Sequence, residues 1–98
     1  MATFSDIINS DRPVLVDFYA DWCGPCQMMA PVLTELSSEL GDKGKVIKVD
    51  VDKNPKASQV YQIKSIPTLI LFKQGQILWR HSGTASKEQL KSLIESHA

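Results

Sequence analysis

Apart from Cys23 and Cys26 the chain has no cysteine, so no disulfide can staple one distant segment to another and the fold must rest on its core. It has no excess of either charge: 11 Lys and Arg stand against 11 Asp and Glu, which leaves no electrostatic pull toward nucleic acid or an anionic membrane. Only His81 and His97 are available as nitrogen ligands, and their separation lies far outside the close spacing of a paired zinc set, so no metal is expected. No apolar run approaches the length of about 20 residues that spans a bilayer. The segment from Met1 to Asp6 also lacks the basic-then-apolar pattern of a signal peptide. These absences lead to the expectation of a cytoplasmic protein with no membrane attachment, whose partners are chosen by surface shape.

What is present organises itself around Trp22-Cys23-Gly24-Pro25-Cys26, directly after the apolar run Val14 to Ala20. The run is long enough for one strand, and the spacing of Met29, Leu33, Leu36 and Leu40 predicts a helix that begins just beyond the motif and stops at Gly41. Cys23 then sits at a helix N-terminus, where unpaired N–H groups and the dipole favour its thiolate. Pro25 suits the first turn, and Cys26, one turn further in, is expected to be more buried and to keep its proton longer. A reversible dithiol/disulfide is the natural reading. A purely structural disulfide is the bland alternative, but a ring closed by so few residues removes little chain entropy. In a reducing compartment a C-x-x-C pair points to redox transfer, since structural disulfides are seldom maintained there.

With 98 residues and 43% hydrophobic content, the chain predicts a single domain over residues 1–98 that buries about 60–68% of its unfolded surface. Thr3 with Asp6 resembles a capping box for a short helix over residues 4–9, ended before Pro13. The strand from Val14 to Ala20 is apolar on both faces except for Asp17, which makes Asp17 a buried carboxylate in a central strand. Val46 to Val51 is a second strand, parallel to the first through the intervening helix and interrupted by Lys48. Asn54-Pro55 starts a short helix to about residue 61. Ile66-Pro67-Thr68 leads into the strand Leu69 to Phe72, and a turn at Gln74-Gly75 returns Ile77 to His81 antiparallel to it. Gly83 ends that strand. Ser86 with Gln89 forms a second capping box, and Leu90, Leu93, Ile94 and His97 line one face of a last helix.

Val16 to Cys26, Ile66-Pro67-Thr68 and Gly83 after a hairpin together resemble the thioredoxin family over nearly the whole chain from Pro13 onward. The resemblance implies the thioredoxin fold: a central mixed sheet of four strands in the order 2-1-3-4, flanked by helices on both faces. It implies a protein-disulfide reductase in which Cys23 attacks and Cys26 resolves, with Asp17 assisting the deprotonation of Cys26 and Lys48 nearby. Pro67 would follow a cis bond, the backbone of Ile66 would pair with an extended client segment, and Trp22, Gly24, Pro25, Ile66, Pro67, Gly83 and Thr84 would form the docking surface. The implied partners are disulfide-containing client proteins and an NADPH-dependent thioredoxin reductase. The chain itself would need no cofactor and would act as a monomer.

Three departures from the family stand out. The residues before Pro13 are too few for both a helix and the further strand that usually precedes it. Tyr19 stands where Trp is common, and Gln27 stands where Lys or Arg is frequent. Two other readings stay open at this point: a disulfide oxidant or isomerase on the same scaffold, and a binding module with incidental cysteines. For Asp17 the bland alternative is a structural ion pair with Lys48.

Overall fold

The computed structural model describes residues 2–98. Its elements in chain order are α1 (Phe4–Ile8), β1 (Val14–Tyr19), α2 (Gly24–Leu40), β2 (Lys45–Asp50), α3 (Pro55–Val60), β3 (Thr68–Lys73), β4 (Gln76–Ser82) and α4 (Lys87–Ser96). The strands form one four-stranded sheet in the order β2-β1-β3-β4. β1 and β2 are parallel, and β3 runs antiparallel to both of its neighbours. This is the thioredoxin fold that the sequence leads one to expect, and β2 is an edge strand.

Burial follows the alternation of side chains along the strands. Leu15, Leu69 and Leu71 point to one face, where Met29, Leu33, Leu36 and Leu40 of α2 and Leu90 and Ile94 of α4 cover them. Val14, Val16, Phe18, Ile70 and Phe72 point to the other face and meet Ile8 of α1, with Phe4, Tyr61 and Ile63 packed around them. β1 is therefore covered on both sides, which is why it reads as an almost unbroken apolar run. Asp17 interrupts that run on the same face as Leu15 and is fully buried.

Local chemistry fixes the boundaries. Thr3 and Asp6 exchange the two bonds of a capping box at the start of α1. At α4 only half of the expected box forms: Ser86 Oγ accepts from Gln89 N at 3.1 Å. Asn54 occupies the cap position of α3, but its side chain makes no cap bond and instead donates to the Asp50 carbonyl at 3.0 Å. Asp50 turns the chain out of β2, its carboxylate accepting from the backbone of Asp52 and Lys53. The β3–β4 turn places both Gln74 (φ 53°) and Gly75 (φ 78°) in the left-handed region, the geometry of a type I′ hairpin. α2 runs unbroken through Pro31.

Candidate active site

The end of β1 delivers the chain to the sulfur pair through a tight turn. Cys23 N donates to the Ala20 carbonyl at 3.2 Å, Cys23 itself caps α2, and the first helical turn carries Gly24, Pro25 and Cys26. Cys23 and Cys26 are joined as a disulfide with their Cα atoms 5.2 Å apart. The Cys26 N–H donates to Cys23 Sγ at 3.2 Å. Cys23 Sγ thus occupies the place that a serine or aspartate oxygen takes at an ordinary helix cap, where a negative sulfur is stabilised by the N–H groups and the dipole behind them.

Exposure does not distinguish the two sulfurs as expected. Cys23 is 5% exposed and Cys26 3%, so both are buried, and the difference between them lies in the cap rather than in access to water. The reason is the loop beside them. The Ile66–Pro67 bond is cis, and the Ile66 carbonyl oxygen lies 3.8 Å from Cys23 Sγ. Gly83 N in turn donates to the Pro67 carbonyl at 2.8 Å, which draws the end of β4 to the same place.

Of the residues named for docking, Trp22 and Ile66 share one groove. Trp22 is 71% exposed, and with Ile66, Val51, Ile63, Lys64 and Ser65 it lines a groove of about 170 Å³. Gly24 and Pro25 lie exposed on the first turn of α2 and Pro67 is buried, while Gly83 is half-buried and bonded to Pro67 and Thr84 is exposed beside it. Trp22 is held in place by its indole N–H, which donates to Asp52 Oδ2 at 2.8 Å. That partner is not apparent from the sequence; neither are Val51 and Ile63, which read there only as strand and loop residues.

Two residues before the end of β1, Asp17 faces Lys48 directly in the β1–β2 register. No hydrogen bond reaches either carboxylate oxygen of Asp17 among the described residues. The structural ion pair is thus not made; the Lys48 ammonium sits over the Tyr19 ring, 4.3 Å from its centroid. Burial pushes the Asp17 carboxyl up to about 6, and the charge of Lys48 opposes this only in part. A small cleft of about 100 Å³, lined by Tyr19, Asp21, Cys26, Gln27 and Lys48 among others, opens beside the inner sulfur. Lys48 lines that cleft together with Cys26 and is the register partner of Asp17, so it links the buried carboxylate to the surroundings of the inner sulfur.

The thioredoxin family model matches residues 1–96. Thioredoxin Y2, chloroplastic, of Arabidopsis thaliana is 50% identical over 95 residues, a match that takes in 96% of this chain and 57% of that protein. The thioredoxin of Haemophilus influenzae is 46% identical over 93 residues, covering 95% of this chain and 87% of that one. A solved structure of a mutant thioredoxin from Halobacterium salinarum superposes with a TM-score of 0.86 at 41% identity, over 95% of this chain and 80% of that chain. The chain spans a little over half the length of the chloroplastic relatives it matches.

Proposed function

The chain belongs to the thioredoxin family, and from that premise we propose that it is a protein-disulfide reductase working by thiol–disulfide exchange between Cys23, Cys26 and a client. The observation that carries the proposal is the disulfide at the N-terminus of α2, with the Ile66–Pro67 loop against its outer sulfur.

In the reduced protein, Cys23 attacks as the thiolate. A bond forms between Cys23 Sγ and one client sulfur, the client S–S bond breaks, and its electron pair leaves on the second client sulfur, which takes up a proton. Cys26 then gives its proton to Asp17 and attacks Cys23 Sγ. The mixed disulfide breaks, and the first client sulfur leaves as a thiolate and is protonated. The client has gained two electrons and two protons, and the protein is left with the Cys23–Cys26 disulfide seen here. Asp17, whose carboxyl is raised to about 6, serves as the base, and Lys48 tempers its charge. The Ile66 backbone pairs with an extended client strand while Trp22, Gly24, Pro25, Pro67, Gly83 and Thr84 receive its side chains.

The dithiol is restored by an NADPH-dependent thioredoxin reductase, and the protein acts as a monomer in a reducing, cytoplasmic setting without a cofactor of its own. Turnover of insulin disulfides with NADPH and thioredoxin reductase tests this, and Cys23→Ser is expected to abolish it. Titration against glutathione separates a reductant from an oxidant or isomerase: a reductant reaches the dithiol only at very high reduced glutathione. If insulin is not reduced while the disulfide yields easily to glutathione, the reductase reading is wrong.

A further inference from the structure

Gln27, on the first turn of α2, holds the turn that carries Cys23 from both sides. Its main-chain N–H donates to the Cys23 carbonyl at 3.1 Å, and its side-chain Nε2 reaches back past the sulfurs to donate to the Asp21 carbonyl at 2.8 Å. Between those two anchor points stand Trp22 and Cys23. The Trp22 side chain is tied separately to Asp52, so the backbone of the Asp21–Cys23 segment is fixed to α2 by Gln27 rather than by the indole. Gln27 and Asp21 also both line the cleft that opens beside Cys26.

We infer that Gln27 is a positioning residue of the redox cycle: its side-chain amide clamps the Asp21–Cys23 turn onto α2, keeping Cys23 Sγ within reach of Cys26 and narrowing the cleft through which an external reagent meets the inner sulfur. The inference rests on the exchange function proposed above and adds to it a determinant of disulfide stability. Two sulfurs close a disulfide readily when the backbone already holds them in place, because less freedom is lost on closure. A turn freed at Asp21 samples more positions, so its dithiol closes less favourably and its disulfide opens more readily. The amide performs this without placing a charge beside the sulfurs, which a lysine or arginine at this position would do.

The test compares Gln27→Met, which keeps the length and removes the donor, with Gln27→Lys, which restores a donor, all proteins being read in about 1 M salt, where the lysine charge is largely screened. Gln27 is exposed, so neither change disturbs the core. In glutathione buffers, Gln27→Met is expected to shift the equilibrium toward the dithiol by about two- to tenfold, the range of one hydrogen bond. In a Cys23→Ser background it is expected to speed alkylation of Cys26 by iodoacetamide by a similar factor. Gln27→Lys is expected to return both values toward those of the native protein. A Gln27→Met protein with an unchanged glutathione equilibrium overturns the inference, as does a Gln27→Lys protein that behaves like Gln27→Met. An equal loss of melting temperature in the oxidised and reduced forms, with no shift in the equilibrium, overturns it too. Neither readout requires a client protein. Failure of the native chain to reduce insulin would therefore count against the reductase function and leave the clamp to be judged on its own.

Discussion

Asp17 and Lys48 are register partners across β1 and β2, yet the lysine ammonium rests over the Tyr19 ring and leaves both oxygens of the buried carboxylate without a hydrogen-bond partner among the described residues. The ring and the carboxylate lie on the same strand face, two residues apart, so one flexible lysine is within range of both. Its preference for the ring keeps a charge beside the carboxylate without neutralising it. A carboxyl in this position is costly to ionise.

Stability should record that cost. The folded carboxyl titrates at about 6 against 3.8 for the ordinary group, so the folded state binds more protons than the unfolded one between those values. The stabilisation from the protonated form is complete below about pH 4, falls as pH rises toward 6, and is gone above it. The interval from 3.8 to about 6 corresponds to roughly 3 kcal/mol. Asp17→Asn is expected to be more stable than the native protein at pH 8 by about 1–3 kcal/mol, since an unpaired buried amide costs less than an unpaired buried charge. Denaturant unfolding at pH 4 and pH 8 measures both values. A variant that is less stable at pH 8 would mean that the charge is compensated in the fold.

The same carboxyl should appear in the rate. At pH 7 a thiol of ordinary pKa is only a few per cent thiolate, so without the base the resolving attack by Cys26 is expected to slow by roughly tenfold. Asp17→Asn should therefore lengthen the life of the mixed disulfide and recover as the pH approaches that of free thiols. Lys48→Met removes the influence that lowers the carboxyl and should move the inflection of the rate profile above 6. Stopped-flow measurement of single-turnover reduction against pH reads both changes. An unchanged profile in Lys48→Met would exclude the lysine from the proton transfer.

Much of this arrangement is legible in the sequence because it depends on periodicity. An apolar run with a single Asp is a strand covered on both faces, and the helical spacing after Cys26 places Cys23 at the cap. What escapes the sequence depends on contacts between side chains from separate segments. The opposite charges of Asp17 and Lys48 suggest a direct pair, but an aromatic ring two residues further along β1 competes for the lysine. The sequence sets Cys26 apart as the more buried sulfur, yet the Ile66–Pro67 loop, more than forty residues away from Cys23, covers the outer one as well. Asp52 reads as one more surface carboxylate until the fold brings it under the Trp22 indole. Gly44 gives no sign in the sequence of what lies against it.

Gly44 stands just before β2, where a Cβ would come within 2.6 Å of Ile94 Cγ2 and 3.1 Å of the Pro13 carbonyl oxygen. Ile94 is fully buried in α4, and the Pro13 carbonyl accepts the first bond of β2, so neither neighbour yields freely. Gly44→Ala is expected to destabilise the protein by about 1–3 kcal/mol, the usual cost of overpacking. Gly24, whose would-be Cβ meets nothing within 4 Å among the described residues beyond its own chain neighbours and helix backbone, is the internal control and should tolerate alanine with little loss. Thermal melts of the two variants compare the sites directly. Equal melting temperatures would show that α4 shifts to accommodate the methyl group.

The two sulfurs should also differ in reactivity. Since Cys23 and Cys26 are 5% and 3% exposed, accessibility alone would have them react alike. The cap makes them different: Cys23 Sγ accepts the Cys26 N–H and stands at the positive end of a helix of 17 residues, whereas Cys26 lies inside the first turn. A thiolate on Cys23 is stabilised by that field, and a thiolate on Cys26 waits for a base. Near neutral pH, brief alkylation of the reduced protein is therefore expected to label Cys23 well ahead of Cys26, as peptide mapping would show. Cys26→Ser should accumulate covalent complexes with disulfide-bearing proteins, because the first exchange proceeds and the second has no attacking sulfur. Cys23→Ser should accumulate few, since Cys26 lacks the cap that makes it a nucleophile. Preferential labelling of Cys26, or stronger trapping by Cys23→Ser, would reverse the order of attack and place the entering client bond on the inner sulfur.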